Sequence, residues 1–396
     1  MAQAHPPWPR PDYLGGSILN LMSSLIQARG GHSDAPGLST LPPRALEQTT
    51  NLVLFVIDGL GADWLARSSP RGLLERSRHA TLTTVFPTTT AAAIPTFLTG
   101  EAPLRHGLTG WHTYIGELGA VMTVLPGRPR CGGAGYRAAG IDPLALSGTT
   151  PVPDRIQTPS TLFAPREIAR SDFNLAYSGR AETVGFKGLE DLFQRAAKRL
   201  RRWPRSRRAP CYLYLYWPTL DTIGHAQGIE SAAARAHLLE IEAALQDFLT
   251  AIAGTDTLVL VTADHGHIDT GPDPGIDLAE HPALADSLLL PLCGEPRAAL
   301  CYLRSGRRQR FIDYCQDVLA DRVDLIESTR LLEEGYFGLG ARHPRIHDRI
   351  GDVWLLPKGR TVIRQWLPFE KPYQQIGVHG GLSDAERLVP LSLLRA

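Results

Sequence analysis

Six acids and histidines fall in four short segments of the sequence, and three of these segments directly follow an apolar run. The six residues are Asp58, Asp221, His225, Asp264, His265 and His379. Carboxylates that meet at one edge of a sheet repel one another and lose hydration unless a cation neutralises them. Mixed carboxylate and imidazole ligands suit zinc best and leave manganese or iron as alternatives, since calcium and magnesium prefer oxygen ligands. These candidate ligands are more than one ion needs, and their number fits two ions. Two ions roughly 4 Å apart can hold the attacking and leaving oxygens of a phosphoryl transfer.

A hydroxyl nucleophile is predicted in the segment 83–100, TTVFPTTTAAAIPTFLTG. The turn at Pro87 precedes three threonines and then an alanine-rich helix. A hydroxyl at a helix N-terminus lies where backbone N–H groups and the helix dipole favour an anion. An ordinary threonine cap would produce the same local pattern. The nearby acids and histidines favour the nucleophile, and the local pattern alone leaves the choice among the three threonines open.

Three buried strands are predicted to position the acids. The runs 51–57, 211–217 and 257–262 are largely apolar, which is typical of strands that are covered on both faces. Helices predicted over 188–203 and 231–253 alternate with these strands. This order predicts an α/β fold, a three-layer α/β/α sandwich with a mostly parallel central sheet. In such sheets, ligands bind beyond the carboxyl ends of the strands, which is where the acids stand.

The composition of the sequence changes between residues 271 and 375, where proline becomes frequent and the candidate strands are short. We therefore predict a small inserted cap subdomain at 271–375. The segments 51–270 and 376–396 form the predicted metallohydrolase core. The segment 1–50 is expected to pack on or near that core.

Composition and charge exclude several classes of protein. The 396 residues are 43% hydrophobic and 20% charged, with a formal net charge of +1, which disfavours disorder and general attraction to nucleic acid. The eight basic residues in 195–208 are more typical of a solvated helix face than of nucleic-acid binding. Five cysteines without a C-x-x-C pair argue against a disulfide framework. No signal peptide or membrane span is predicted, so we expect a cytoplasmic protein.

These residues, in this order, resemble the alkaline phosphatase superfamily, and most closely its nucleotide pyrophosphatase/phosphodiesterase branch. The order across the chain is more specific than any single motif, and it extends over residues 51–381. The matching segments are Ile57-Asp58-Gly59, Phe86-Pro87-Thr88-Thr89-Thr90, Asp221-x-x-x-His225, Thr262-Ala263-Asp264-His265-Gly266 and Gly377-Val378-His379-Gly380.

The resemblance implies a di-zinc hydrolase of phosphodiester or nucleotide pyrophosphate bonds. It places one zinc on Asp221, His225 and His379. The other zinc is placed on Asp58, Asp264, His265 and the nucleophile, and the family spacing from the Phe-Pro pair selects Thr90 for that role. Thr90 would attack phosphorus and form a phospho-threonine intermediate that water then hydrolyses.

One departure from the family pattern bears on the substrate. Phe-Pro-Asn typically follows the nucleophilic threonine, whereas Ala91, Ala92 and Ala93 stand here, so we expect the backbone N–H of Ala91 to replace the missing Asn donor. A small phosphate ester or nucleotide is the expected substrate. The sequence leaves open a phosphomonoesterase or a phosphonoacetate-type hydrolase with the same metals. It also leaves open an inactive metal-binding relative that recognises phosphorylated partners, and the oligomeric state.

Several other residues have no assigned role. His106 and His112 lie near the threonines in sequence, His267 lies near Asp264, and His281 lies in the predicted insert. A hydrogen-bonded structural histidine is more common than one that faces a ligand. Trp111, Tyr114 and Tyr373 could stack on a substrate ring, although buried packing is the usual fate of such residues.

Overall fold

The computed structural model describes residues 8–202, 210–272 and 275–396. Within these ranges the strands are β1 Asn51–Ile57, β2 Arg78–Thr83, β3 His112–Ile115, β4 Ala120–Thr123, β5 Arg128–Pro129, β6 Ser160–Pro165, β7 Glu182–Phe186, β8 Cys211–Trp217, β9 Thr257–Thr262, β10 Ile268–Asp269, β11 Ile276–Asp277, β12 Cys293–Glu295, β13 Ala298–Cys301, β14 Val323–Glu327, β15 Val353–Pro357, β16 Ile363–Arg364, β17 Gly377–Val378 and β18 Leu388–Arg395. The α-helices in the same ranges are α1 Ile18–Ala28, α2 Pro43–Glu47, α3 Ala62–Ser68, α4 Leu73–Arg76, α5 Thr90–Thr99, α6 Pro103–His106, α7 Pro143–Ser147, α8 Val152–Arg155, α9 Asp172–Tyr177, α10 Gly188–Arg202, α11 Thr219–Gln227, α12 Ala232–Ala251, α13 Pro282–Ala285, α14 Arg308–Val318, α15 Ser328–Glu333, α16 Ile346–Arg349 and α17 Asp384–Arg387.

The central sheet has the strand order β2-β18-β9-β1-β8-β6-β7. The five strands from β9 to β7 run parallel, and β18 runs antiparallel to both of its neighbours, β9 and β2. The carboxyl ends of β1, β8 and β9 lie level, because Ile57 pairs with Trp217 and Val56 pairs with Thr262. The prediction of an α/β fold with a mostly parallel central sheet is confirmed.

Helices cover the central sheet. Every residue of β1 and β9 is buried, as expected for strands with helices on both faces. Helix α1 packs against α5, and α10 packs against α12, and all four contribute to one apolar core with the strands. Helix α12 begins where the side chain of Ser231 accepts the N–H of Ala234, a capping bond that explains its start. The fold is therefore a three-layer α/β/α sandwich.

A glycine turn shapes the carboxyl end of β1. Gly59 has a φ of 79°, a left-handed conformation that disfavours other residues. A Cβ atom at this position would lie 2.7 Å from the His267 side chain and 3.2 Å from the Cα of Asp221. The absence of a side chain at Gly59 thus lets the ends of β1, β8 and β9 approach one another closely.

A second sheet, antiparallel throughout, has the order β14-β15-β13-β12-β3-β4-β5. Four of its strands lie in the predicted insert 271–375, and the other three come from 112–129. The two groups join where Gly294 pairs with His112. The second sheet therefore extends beyond the predicted insert, because β3 to β5 form a meander that adds to β12. The division of the chain into domains stays a prediction.

All five cysteines are free, and four of them are buried. Among the described residues, no helix combines the length and the hydrophobicity needed to cross a bilayer. The cytoplasmic location stays a prediction.

A buried ion pair connects the second sheet to the segment before β18. Arg297, between β12 and β13, bonds through Nε and Nη2 to both carboxylate oxygens of Glu386, at 3.2 and 3.1 Å. Both side chains are shielded from solvent. Glu386 also accepts the Gly381 N–H at 2.8 Å and the Ser383 hydroxyl at 2.6 Å. This carboxylate therefore holds the chain just after His379 in place.

Replacing Glu386 with glutamine should destabilise the protein strongly. The substitution leaves the Arg297 charge buried without its counter-ion, which typically costs about 3–5 kcal/mol of unfolding free energy. Denaturant unfolding followed by circular dichroism measures the loss. Asp384→Asn is the matched control, because it breaks an exposed pair with Arg387 on the same helix and should cost less than about 1 kcal/mol. Equal losses for the two variants would contradict this account.

Candidate metal centre and active site

The predicted acids and histidines meet at the carboxyl edge of the central sheet. Asp58 follows β1 directly, and Asp264 and His265 come just after β9. Asp221 and His225 lie on α11, four residues apart and therefore on one helix face, just after β8. Asp58, Asp264 and His265 are at most 2% exposed.

His379 reaches this edge from far along the chain. It directly follows β17, which pairs antiparallel with β10 so that Val378 stands opposite Ile268. Gly380, the next residue, forms a β-bridge with Thr88, whose hydroxyl accepts the Gly380 N–H at 3.1 Å. These backbone contacts hold His379 between the end of β9 and the start of α5.

The first cluster of possible ligands contains Asp58, Asp264 and His265. His265 Nε2 lies 3.3 Å from Asp58 Oδ1 and 3.5 Å from Asp264 Oδ2. Asp264 Oδ1 accepts the N–H groups of Gly59 and His265, at 3.2 and 3.0 Å. Its other oxygen, Oδ2, is buried and has no hydrogen-bond partner among the described residues. A buried carboxylate oxygen without a donor fits a cation ligand.

Thr90 is the threonine that faces this cluster. It is the first residue of α5, and its Oγ1 lies 3.0 Å from His265 Nε2 and 3.5 Å from each carboxylate oxygen of Asp58. The Thr88 hydroxyl donates to Gly381 O, and the Thr89 hydroxyl donates to Glu295. Of the three threonines in the motif, Thr90 therefore has its hydroxyl among the acids.

A second cluster of possible ligands surrounds Asp221. Its Oδ1 lies 2.8 Å from His267 Nε2, 3.3 Å from His225 Nε2 and 3.8 Å from His379 Nε2. The rings of His265 and His379 stack with centroids 3.7 Å apart, so the two clusters are adjacent. His267, whose role the sequence left open, thus belongs to the site. Its position two residues after His265 was the available signal.

The ring orientation of three histidines is set by backbone carbonyls. Nδ1 of His225 lies 2.7 Å from Gly377 O, and Nδ1 of His379 lies 3.1 Å from Thr88 O. Nδ1 of His265 lies 3.1 Å from the O atom of the next residue. A carbonyl oxygen can only accept, so Nδ1 of each ring carries a proton and Nε2 is the atom that faces the site. In all three rings Nε2 points to a carboxylate oxygen, at 3.3 to 3.8 Å.

The ionisation of these groups reflects their burial and their mutual charge. Burial raises the pKa of Asp58 well above its usual value, and the negative charges of Asp264 and Asp221 raise it further. Burial also raises the pKa of Asp221, but His225, His267 and His379 outweigh it and lower the net pKa. Burial and the neighbouring rings lower the pKa of His379 well below its usual value, so its imidazole is neutral. An ionised Asp221 and a neutral His379 are in the protonation states that metal binding requires.

Two residues at the site carry no motif that sequence reasoning could use. The Tyr216 hydroxyl, at the end of β8, donates to Asp58 Oδ2. Glu295 reaches the site from β12 in the second sheet, where its Oε1 accepts the Thr89 hydroxyl at 2.6 Å and the Trp111 N–H at 2.7 Å. Glu295 thus anchors the residue before Thr90. Burial raises the pKa of Glu295 to about 7.

His106 and His281 lie outside the two clusters. His106 is fully buried, its Nδ1 accepts the Leu108 N–H at 3.1 Å, and its Nε2 lies 3.3 Å from the Thr96 hydroxyl. Burial lowers its pKa to about 3, which keeps it neutral. His281 bonds to the Tyr314 hydroxyl at 2.8 Å. These contacts indicate structural roles.

The basic run 195–208 is partly described. Arg195 pairs with Asp191 at 2.6 Å and Arg199 pairs with Glu182 at 2.9 Å, as on a solvated helix face. Residues 203–208 of the run lie outside the described residues. The expectation that the run does not bind nucleic acid stays a prediction.

Two cavities adjoin Thr90 and share Asp221 and Trp111 as lining residues. The first, of about 290 Å³, is the more polar of the two, with Arg130, Glu295, Arg364, Trp366, Tyr373 and Gln375 among its lining residues. The second, of about 320 Å³, is lined mainly by apolar side chains. A group bound at Thr90 therefore has space on two sides.

A protein-family comparison matches residues 52–382 to the type I phosphodiesterase / nucleotide pyrophosphatase family. The chain belongs to this family. It is therefore a hydrolase of the phosphodiesterase and nucleotide pyrophosphatase type, and the resemblance found in its motifs is confirmed. A search of curated proteins found no match to the sequence.

Solved structures of two mammalian proteins share the fold. Human ectonucleotide pyrophosphatase / phosphodiesterase 5 matches with a TM-score of 0.63 and 15% identity, over 86% of this chain and 87% of that one. The murine protein matches with a TM-score of 0.62, at the same identity and coverage. An inactive threonine-to-alanine variant of the murine protein, in complex with AMP, matches with a TM-score of 0.61, 15% identity and 87% coverage of both chains.

Substituting glutamine for Glu295 should change how stability depends on pH. Because burial raises the pKa of Glu295 in the folded state, the folded protein binds this proton more tightly than the unfolded chain does. The free energy of unfolding of the wild type therefore falls as pH rises from 4.5 to about 7. The glutamine variant lacks this loss. Over this range, the unfolding free energy of the wild type should therefore fall by about 3 kcal/mol relative to that of the glutamine variant.

Denaturant unfolding at pH 5, 6, 7 and 8 measures the shift. Glu333→Gln, at an exposed position on α15, is the control and should follow the wild type at every pH. A constant difference between the wild type and Glu295→Gln across this range would refute the account of the buried carboxyl.

Proposed function

We propose that this protein hydrolyses phosphodiester or nucleotide pyrophosphate bonds with two bound metal ions and a phospho-threonine intermediate on Thr90. Family membership supports the reaction class. The observation that carries the finer proposal is the crowding of buried carboxylates and histidine Nε2 atoms in the two clusters. Three Nε2 atoms lie 3.3 to 3.8 Å from carboxylate oxygens, and the buried Oδ2 of Asp264 has no hydrogen-bond partner among the described residues. Two bound cations would neutralise the carboxylates.

The residues divide into two ligand sets. We assign Asp221, His225 and His379 to one ion. We assign Asp58, Asp264, His265 and Thr90 to the other, which would also satisfy the buried Oδ2 of Asp264. Zinc suits this mixture of imidazole and carboxylate ligands best, with manganese as the alternative. His267, which contacts Asp221 at 2.8 Å, would orient that carboxylate by donating a hydrogen bond.

The chain's own groups prepare the nucleophile. The bound ions would supply the positive charge that lowers the pKa of the threonine hydroxyl and stabilises the leaving oxygen. The N-terminus of α5 directs backbone N–H groups and the positive end of its dipole toward phosphate bound at Thr90. The Tyr216 hydroxyl holds one oxygen of Asp58, and Glu295 holds the neighbouring Thr89. These contacts fix the direction of the Thr90 hydroxyl.

The reaction then proceeds in two displacements. Thr90 Oγ1 bonds to phosphorus while the bond between phosphorus and the leaving oxygen breaks; that oxygen takes the electron pair and, through solvent, the proton that Thr90 loses, and departs as an alcohol or acid. Water next attacks the phosphorus of phospho-threonine. The bond between phosphorus and Thr90 Oγ1 breaks, and Oγ1 takes up the proton that the attacking water loses, which restores the hydroxyl.

Two further observations support a diester or nucleotide substrate. Cavities adjoin Thr90 on two sides, which provides a place for each of the two ester groups, whereas a monoester has one. The inactive murine structural relative that binds AMP carries a threonine-to-alanine substitution. We propose the same chemical role for Thr90.

Changing Thr90 to alanine should lower kcat for bis(p-nitrophenyl) phosphate by about three orders of magnitude or more, because the attacking oxygen is removed. Thr90→Ser keeps a hydroxyl and should retain measurable turnover. Thr99→Ala, the same change at the other end of α5, is the matched control and should keep wild-type activity. Assays with p-nitrophenyl monoester and phosphonate substrates test the alternative hydrolases. Full activity of the alanine variant would falsify the threonine mechanism.

Removing metal should destabilise the protein, because the buried carboxylates then repel without compensation. We expect a chelator to lower the melting temperature and zinc to restore it, with about 2.7 kcal/mol regained at a zinc concentration 100 times the dissociation constant. His379→Gln should reduce the zinc content from two equivalents toward one, as measured by mass spectrometry of the metal. His281→Gln, a histidine outside both clusters, is the control and should keep both equivalents.

The binding-protein alternative predicts a different result. Two equivalents of zinc with no turnover of any monoester, diester, nucleotide ester or phosphonate would favour an inactive metal-binding relative. A melting temperature that does not respond to zinc or manganese would contradict the metal assignment itself.

A further inference from the structure

The segment that joins β16 to β17, residues 365–376, has no regular secondary structure and forms part of one wall of the site. We call this segment the strap. Four of its residues are among those that line the more polar cavity: Gln365, Trp366, Tyr373 and Gln375. Thr90 lines the same cavity, so the strap borders the space next to the reacting hydroxyl.

Hydrogen bonds fix both ends of the strap. At its start, the Gln365 side-chain oxygen accepts the Leu292 N–H at 2.6 Å. At its end, the Ile376 N–H donates to the carbonyl oxygen of His225 at 2.9 Å, and the Ile376 carbonyl oxygen accepts the Thr270 N–H at 2.7 Å. The strap therefore ends on the backbone of a candidate metal ligand.

Between its ends, the strap is held at Glu370. Both carboxylate oxygens of Glu370 accept hydrogen bonds from the Arg130 guanidinium, through Nε and Nη2, at 2.8 Å each. Arg130 directly follows β5, at the edge of the second sheet, and the pair is largely shielded from solvent. Such two-point contacts between arginine and carboxylate are among the stronger hydrogen-bonded pairs in proteins. We call this pair the latch.

The rest of the strap is weakly held. Phe369 is 60% exposed and Tyr373 is 62% exposed. The backbone and side chains of residues 371–374 make no hydrogen bond to other described residues. The rings of Trp366 and Tyr373 meet with centroids 4.9 Å apart, a contact that lies within the strap itself. Segments with exposed backbone and few buried contacts open locally at low free energy, so the latch is the main restraint on the middle of the strap.

We propose that the strap is a lid on the more polar cavity, which the latch closes over a bound ligand and which opens for entry and release when Arg130 and Glu370 separate. Lids of this kind gate the access of ligands to many enzyme sites. The inference rests on the proposed function for the class of ligand that enters. Arg130 and Glu370 are positioning residues, because they act on the ligand through the strap.

Two matched variants test the latch. Glu370→Gln removes the charge of the latch and keeps the size of the side chain. Glu101→Gln is the control, because Glu101 forms a pair with Arg155 at 2.8 Å that is also largely shielded from solvent. Neither Glu101 nor Arg155 lines a cavity at Thr90.

Proteolysis reports on opening without any ligand. Chymotrypsin cleaves after aromatic residues, and the strap offers Trp366, Phe369 and Tyr373. Cleavage of the zinc-loaded protein within 365–376 should be at least tenfold faster for Glu370→Gln than for the wild type, because the open form is more populated. Glu101→Gln should be cleaved there at the wild-type rate.

Binding of AMP and of inorganic phosphate, measured by calorimetry, tests whether the strap covers a ligand. AMP carries a polar ester group for the lid to cover, whereas phosphate needs only the space at Thr90. Glu370→Gln should raise the dissociation constant for AMP about tenfold, because the closed form is less populated, and should change that for phosphate less than twofold. A charge effect alone would strengthen the binding of both anions, since the substitution removes a negative charge.

Hydrogen exchange of the wild-type protein needs no variant. Amides within 365–376 should exchange faster than those of α14 and should slow at least tenfold when AMP is bound. Exchange that does not respond to AMP would contradict the lid, and so would the absence of AMP binding to the wild type.

The outcomes separate this inference from the one on which it rests. Equal chymotrypsin rates for the wild type and Glu370→Gln would overturn the latch. Faster cleavage with an unchanged dissociation constant for AMP would overturn the lid, because the strap would not cover the ligand. None of these measurements uses turnover, so a protein that hydrolyses no ester would contradict the proposed function and leave the lid intact.

Discussion

The structure depends on a charge constraint at one edge of its central sheet. Carboxylates and imidazole nitrogens crowd together in a space where burial removes most of the water. Ionised carboxylates repel one another, and in a medium of low dielectric this repulsion is strong. Cations in the space between them would offset it. The level strand ends, the glycine turn after β1 and the carbonyl contacts that orient the rings all serve to hold these groups in place.

The two sheets contribute differently to the site. The central sheet and α11 supply five of the six predicted ligand residues, and β17 supplies His379. The second sheet and the chain that follows it supply residues that line the more polar of the two cavities, among them Glu295, Arg364 and Tyr373. The candidate metal ligands and the walls of this cavity therefore come largely from different parts of the fold.

Three of the seven strands of the central sheet were predicted from the sequence. Strands β1, β8 and β9 match the predicted runs 51–57, 211–217 and 257–262, because burial on both faces makes each of them largely apolar. Strand β18 escaped prediction since Pro390 interrupts its pattern, which is tolerated because Pro390 pairs with Thr81 of β2 and the pairing with β9 begins at Ser392. The meander β3 to β5 was also missed, because its strands are two to four residues long.

The candidate site was predictable to the extent that its residues follow strands or stand between glycines. Thr90 and the six ligand candidates have such local signals, and the structure brings them together, while their metal-binding roles stay predictions. Glu295 and Tyr216 have no such signal. Each joins the site through a hydrogen bond to a residue distant in sequence, Thr89 for Glu295 and Asp58 for Tyr216. His267 had only a weak signal in the sequence, its position two residues after His265. The structure places it in the site, because α11 brings Asp221 to within 2.8 Å of its Nε2.

The positions of β17 and β18 along the chain also have a consequence for biosynthesis. Strand β18 lies inside the central sheet, between β9 and β2, and is translated after both of its neighbours. His379 lies shortly before β18 in the sequence. A nascent polypeptide therefore lacks one of the candidate metal ligands until residue 379 has been synthesised, and β18 closes the sheet through contacts of high sequence separation, which are typical of slow folding. The full set of candidate ligands and the closed central sheet thus both depend on residues 377–395.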